Sequence, residues 1–149
     1  MPTYTTFSPA ETRRLGRATA ATLRGGTILA LEGTYGSGKT TFVRGLARGF
    51  GIMRTVRSPS FLLMHQFTLH TKGIGRFVHV DLWRARRLTA DDRAALHDVF
   101  SDPHAVVAVE WPDRLPRPYR RFIDIACTFR VLGLRRRRVI IQRERTLRS

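Results

Sequence analysis

The stretch GTYGSGKTT, residues 33–41, narrows the folds open to this chain more than any other. It is preceded by a short apolar run, TILALE (27–32), and followed by a segment that reads as a helix from Lys39 to about Arg48, closed by Gly49 and Gly51. Glycines at 33, 36 and 38 free the backbone to turn successive N–H groups into one concavity, a nest that grips phosphate oxygens. The helix that starts there points its positive end at the same anion. Lysine is scarce: Lys39 and Lys72 stand against 25 arginines, so Lys39 is not compositional background. It is placed to reach the outer phosphates of a nucleotide as an exposed point charge, and the Thr40 hydroxyl to ligate magnesium. The spacing G-x-x-x-x-G-K-[ST] arises by chance in a chain of this length about once in a hundred. The strand before it and helix after it are the setting the motif requires.

The rest of the chain supplies an α/β frame. Ser8, Pro9 and Glu11 form a capping box for a helix over 8–24, with Leu15, Ala18, Ala21 and Leu23 on its apolar face. Residues 58–67 open as a turn and become a strand, and Lys72 to Gly75 form a hairpin tip. FVHVD (77–81) and AVVAVE (105–110) are apolar strands that each end on an acid. Between them Thr89 caps a helix that runs to Phe100. WPDRLPRP is a proline-broken loop, and FIDIACTFRV with RRRVIIQ makes a terminal hairpin around Gly133. Helices interleaved with apolar strands predict a single-domain α/β P-loop NTPase over residues 1–149, its central sheet mixed and flanked by helices. The last few residues are expected to fray.

Composition excludes some classes and leaves others open. No apolar run approaches the ~18 residues that span a bilayer. MPTYTTFSPAETRR has no apolar h-region, and Cys127 has no second cysteine to pair with, so a cytoplasmic setting is expected. Net charge is +16. That fits a solvated arginine-rich surface or a polyanion partner such as RNA. The RRRR run at 135–138 is expected to alternate faces on an edge strand, where basic side chains discourage aggregation.

A phosphate loop also needs acids to hold magnesium and orient water. Asp81 and Glu110 end their strands at the C-terminal side, the edge where open α/β sheets bind ligands. Asp113, beside a proline, reads as turn chemistry. The chain has no asparagine, hence no N-K-x-D element for guanine, which favours ATP. His65 and His79 read as core residues, as do Phe42, Phe50, Phe61 and Phe77.

GTYGSGKTTFVRG, SPSF, HVDLWR and VEWP, in that order, resemble the TsaE (YjeE) family over residues 8–140. Thr34 stands where the family usually has Asp, Ser60 where Thr is common, and Trp83 where Tyr is commoner; the segment after Arg84 is richer in arginine. The resemblance implies a small bacterial ATPase needed to make threonylcarbamoyladenosine beside the anticodon of tRNA, together with the TsaD and TsaB proteins. It implies slow hydrolysis in isolation. By position, Gly36, Ser37, Gly38, Lys39, Thr40 and Thr41 would hold the phosphates, and Thr40 and Glu110 would lie at magnesium. Asp81 would orient the attacking water or hold magnesium through water, and the division of roles between the two acids stays open. Ser58 and Ser60 would form a loop that responds to the γ-phosphate. Trp111 would lie beside the nucleotide, and Thr12 and Arg135 would contact base or phosphate. Two other functions use the same motifs: a small-molecule or nucleoside kinase, and a basic RNA-binding module with ATP as a structural ligand.

Overall fold

Period-two alternation decides which side chains meet. In the computed structural model, which describes residues 1–54, 64–71 and 73–144, the strands form one seven-stranded sheet. The expectations for Ser58, Ser60 and Phe61, for the hairpin tip at Lys72 and for the last five residues lie outside the described residues.

In chain order the elements are β1 (Thr3–Thr6), α1 (Pro9–Ala20), β2 (Ile28–Glu32), α2 (Lys39–Gly49), β3 (Met64–Thr71), β4 (Ile74–Asp81), α3 (Ala90–Ser101), β5 (Ala105–Glu110), a 3-10 turn (Pro112–Arg114), α4 (Arg117–Arg120), β6 (Ile125–Val131) and β7 (Arg137–Arg143). The sheet order is β1-β7-β6-β2-β5-β4-β3. The central strands β6, β2, β5 and β4 are parallel, and the outer pairings are antiparallel. This is the mixed sheet flanked by helices that the sequence predicts.

Central strands are buried on both faces, which explains their nearly continuous apolar runs. Leu29 and Leu31 of β2, Phe77 of β4, and Val106 and Ala108 of β5 pack with Phe42, Val43 and Leu46 of α2. Ile28, Val78, Val80, Val107 and Val109 face the other way, onto Leu96, Val99 and Phe100 of α3 and onto Leu115. Burying a side chain such as Phe42 or Phe77 completely stabilises the fold by roughly 1.5–3 kcal/mol each.

Several local expectations need correction. Four residues, Thr3–Thr6, form a strand that the sequence does not signal, and it pairs with β7. β7 is therefore not an edge; Arg137 and Arg138 lie in it, and β1 covers its flank. The proline-broken segment after Glu110 folds into the 3-10 turn and α4. Glu11 closes the start of α1 by accepting from the N–H of Phe7, while Ser8 accepts from the N–H of Glu11. Thr89 caps α3 as expected, and reciprocally with Asp92.

The buried face of α1 also differs. Thr12, Gly16, Thr19 and Ala20 are buried, whereas Ala18 and Ala21 are exposed. The cause is close helix approach. A Cβ on Gly16 would stand 2.3 Å from the Phe42 carbonyl oxygen, and one on Gly45 would stand 2.1 Å from that of Arg13. The backbones touch because neither helix carries a side chain there, and this brings Thr12 to the start of α2. Gly45→Ala is accordingly expected to destabilise the protein by about 1–3 kcal/mol, despite alanine's better helix propensity. Chemical denaturation of the variant checks this, and unchanged or raised stability would contradict the packing.

Candidate functional site

Parallel register places the loop after β2 and both acids at one rim. Asp81 pairs with Glu110, and Glu110 with Leu31, two residues before Gly33. Alternation from Val106 and Ala108 carries Glu110 to the α2 face, and alternation from Phe77 carries His79 and Asp81 there too. The rim holds a cavity of about 510 Å³, within the usual range for small-molecule sites. Gly36, Ser37, Gly38, Lys39, Thr40 and Thr41 line it, as do Asp81, Glu110, Trp111, Thr12 and Arg135. Of the expected site residues among those described, Gly33 alone does not line it; its carbonyl accepts from Lys39 Nζ instead.

α2 starts without a side-chain cap, unlike α1 and α3. Its N-cap, Gly38, has φ 106°, and Gly36 has φ 75°, both in the left-handed region. Glycine is required there so that the loop can hand over to the helix with the first-turn N–H groups directed into the cavity. Ser37 Oγ is buried with no hydrogen-bond partner among the described residues. Arg137 Nη2 donates to the Gly36 carbonyl at 3.2 Å, latching the loop to β7.

Lys39 is not the surface charge expected. It is 5% exposed, and its ammonium donates to the carbonyls of Gly33 and Thr34, the latter at 3.0 Å. It also stands 4.0 Å above the Trp111 ring. Burial lowers its pKa, against the pull of Glu110, Asp81 and Asp113. Two of its three donors are used internally, which leaves one for a ligand.

Glu110 is 2% exposed and fixed on two sides. Thr40 Oγ1 donates to its Oε1 and Oε2 at 3.0 and 3.2 Å, and His79 Nε2 lies 2.6 Å from Oε2. His79 is buried as expected, with the site acid itself for a partner; His65 is only half-buried, on β3. Asp81 is half-buried and accepts from the N–H of Trp83 at 2.9 Å through Oδ1. Burial raises its pKa, and the charge of Glu110 pushes the same way.

Arg44, Arg84, Arg137, Tyr35 and Trp83 also line the cavity, beyond the residues that the motifs single out. Arg44 sits one helical turn beyond Thr40, so i,i+4 spacing would have found it. Arg137 depends on the β7 register and has no local signal. Trp83 packs on Trp111 with centroids 4.4 Å apart and on Tyr35 at 5.8 Å, forming an aromatic wall.

The oxygen donors fit magnesium rather than zinc. A hydroxyl and one or two carboxylates leave room for the ligand's own phosphates and water. Among the described residues no cluster of three or more His, Cys, Asp or Glu side chains is arranged for a metal. No helix among them is long and apolar enough to cross a membrane.

The profile of the family described as "Threonylcarbamoyl adenosine biosynthesis protein TsaE" matches residues 6–138. The chain belongs to the TsaE family. A relative from Bacillus subtilis (strain 168), named as a tRNA threonylcarbamoyladenosine biosynthesis protein, is 36% identical over 108 residues, which are 72% of this chain and 65% of that one. One of the same name from Aquifex aeolicus is 30% identical over 139 residues, 92% of each chain. The crystal structure of Bacillus subtilis YdiB superposes with a TM-score of 0.68 at 26% identity, covering 95% of this chain and 84% of that one. The TsaE match thus runs from β1 into β7 and takes in the loop, both acids and Trp111.

Removing His79 takes from buried Glu110 one of its two side-chain partners, and removing Glu110 leaves buried His79 with no side-chain partner among the described residues. His79→Leu is expected to cost about 1–3 kcal/mol of stability. The double variant His79→Leu/Glu110→Leu should cost less than the two single losses added together, by at least 0.5 kcal/mol on the order of known coupled pairs. Denaturant unfolding of all four proteins measures this, and strict additivity would contradict the coupling.

Proposed function

We propose that this chain binds ATP with magnesium at the sheet rim and hydrolyses it in the service of tRNA threonylcarbamoyladenosine biosynthesis, as a switch on the TsaD–TsaB transferase. What carries the reading is the convergence, in one cavity, of an uncapped helix start, a buried lysine and two strand-end carboxylates. The relatives' names supply the pathway, and the motif resemblance supplies the two partners.

The residues present fit both groups. The amides from Gly36 to Thr41, with the positive end of α2 behind them, would hold the β- and γ-phosphates. Thr40 and Glu110 would hold magnesium, which when bound offsets negative charge on the phosphates. Lys39, already bent over the loop, adds a charge-assisted donor to the outer phosphates. The aromatic wall of Tyr35, Trp83 and Trp111 closes one side of the cavity and limits water.

The acids divide by environment. Glu110 is enclosed, hydrogen-bonded to Thr40 and His79, and therefore suited to holding position. Asp81 is more accessible, its backbone bond uses one oxygen, and burial raises its pKa, which suits it to accepting a proton. Asp81 would orient and deprotonate the attacking water. Preorganised charge then supplies most of the rate.

Two measurements test this. Lys39→Ala is expected to lose at least ~10-fold in ATP affinity by titration calorimetry, the worth of one charge-assisted hydrogen bond of about 1.5–3 kcal/mol. Its melting point should stay within a few degrees of the parent's, because the two carbonyls it releases belong to half-buried Gly33 and exposed Thr34, within reach of water. Unchanged affinity would contradict the assignment. ATP turnover should be slow for the chain alone and rise with the TsaB–TsaD pair. Fast unstimulated turnover would remove the switch reading, and transfer of phosphate to a stable acceptor would make the protein a kinase.

A further inference from the structure

A second cavity, about 350 Å³, opens between exposed residues of α1 and α2 and is lined by Arg13, Arg14, Arg17, Arg44, Arg48 and Arg54. Its other lining residues are Ala10 and Gly45. Arg13, Arg14, Arg17, Arg48 and Arg54 take part in no ion pair among the described residues.

Helix geometry builds this array. Arg13 and Arg17 are one turn apart on α1, and Arg44 and Arg48 one turn apart on α2, each step spanning about 6 Å. The approach at Gly16 and Gly45 that lets the helices touch also sets the two rows side by side. Guanidinium groups held together without carboxylates repel one another, and an anionic occupant with repeated charges turns that repulsion into attraction.

We propose that this groove binds the phosphodiester backbone of RNA. Its lining favours nucleic acid over an acidic protein. Protein interfaces depend on apolar or aromatic anchors at their centre, and here the uncharged lining among the described residues is one alanine and one glycine. Guanidinium forks match phosphate in bidentate fashion. Among the described residues no aromatic ring lines the groove to stack a base, so binding follows the backbone and is independent of sequence. Arg44 lines both this groove and the cavity at the sheet rim, so the two adjoin there. The proposal goes beyond the ATPase reading and stands without it, because RNA binding is read in the absence of nucleotide.

The test is fluorescence anisotropy of the full chain with a labelled tRNA transcript and with a labelled unstructured RNA, across a salt series. The variant R14E/R17E/R48E is compared with R93E/R121E/R130E, which changes net charge equally at exposed arginines outside both cavities. The groove variant is expected to lose at least ~10-fold in affinity for both RNAs. Its log–log salt slope should fall by about 2, since each single-strand phosphate that is no longer neutralised lowers the slope by roughly 0.7. The control should stay within about twofold. Should charge reversal unfold the helices in a thermal melt, R14Q/R17Q/R48Q against R93Q/R121Q/R130Q makes the same comparison. Equal losses in groove and control variants, or no RNA binding by the parent, would overturn the proposal. So would groove-dependent binding of polyglutamate tighter than that of RNA, which would assign the surface to an acidic protein.

Discussion

Parallel pairing of β2, β5 and β4 is the constraint on which the rest depends. It brings three strand ends to one rim in a fixed register: Leu31 against Glu110, and Glu110 against Asp81. A slip of one residue in β5 would turn Glu110 away from α2 and put an apolar side chain in its place. The apolar runs hold that register, because each alternate face is buried in its own cluster. Core packing and site geometry are therefore set by the same alternation.

Within this frame the site trades local stability for charge. α2 starts on a left-handed glycine without a cap, although hydroxyl caps start α1 and α3. An N-cap of that kind is worth about 1 kcal/mol. Its absence leaves backbone donors for a ligand. A lysine and a glutamate are buried nearby, and each is offset by specific partners: carbonyls for Lys39, a hydroxyl and an imidazole for Glu110. Buried charges are tolerated when their hydrogen bonds are satisfied, and here the satisfying groups belong to the loop and strands that form the cavity. By contrast Cys127, buried in the same sheet with its thiol pKa pushed up to about 12, is inert core.

Much of this is legible in the sequence because it rests on local rules. The glycine loop, the strand-end acids and the cap at Thr89 each follow from spacing and residue type. What was not legible depends on residues distant in the chain. TYTT shows no apolar alternation, and it becomes β1 because β7 offers it a partner. The face of α1 follows from the backbone approach at Gly16 and Gly45, where absent side chains matter more than apolar ones. Lys39 reads as a surface cation from its motif and is buried because its side chain bends back onto the carbonyls of Gly33 and Thr34. Arg137 reaches Gly36 across 101 positions of chain. His79 reads as core from its strand, and its role as the partner of Glu110 emerges only once β4 and β5 are paired.

The most direct measurement is a crystal structure of the protein with magnesium and a non-hydrolysable ATP analogue. Phosphate oxygens are expected against the amides of 36–41, with Lys39 Nζ on the outer phosphates and the metal touching Thr40 with Glu110 beside it. A nucleotide bound elsewhere, or a metal held away from Thr40 and Glu110, would contradict this arrangement.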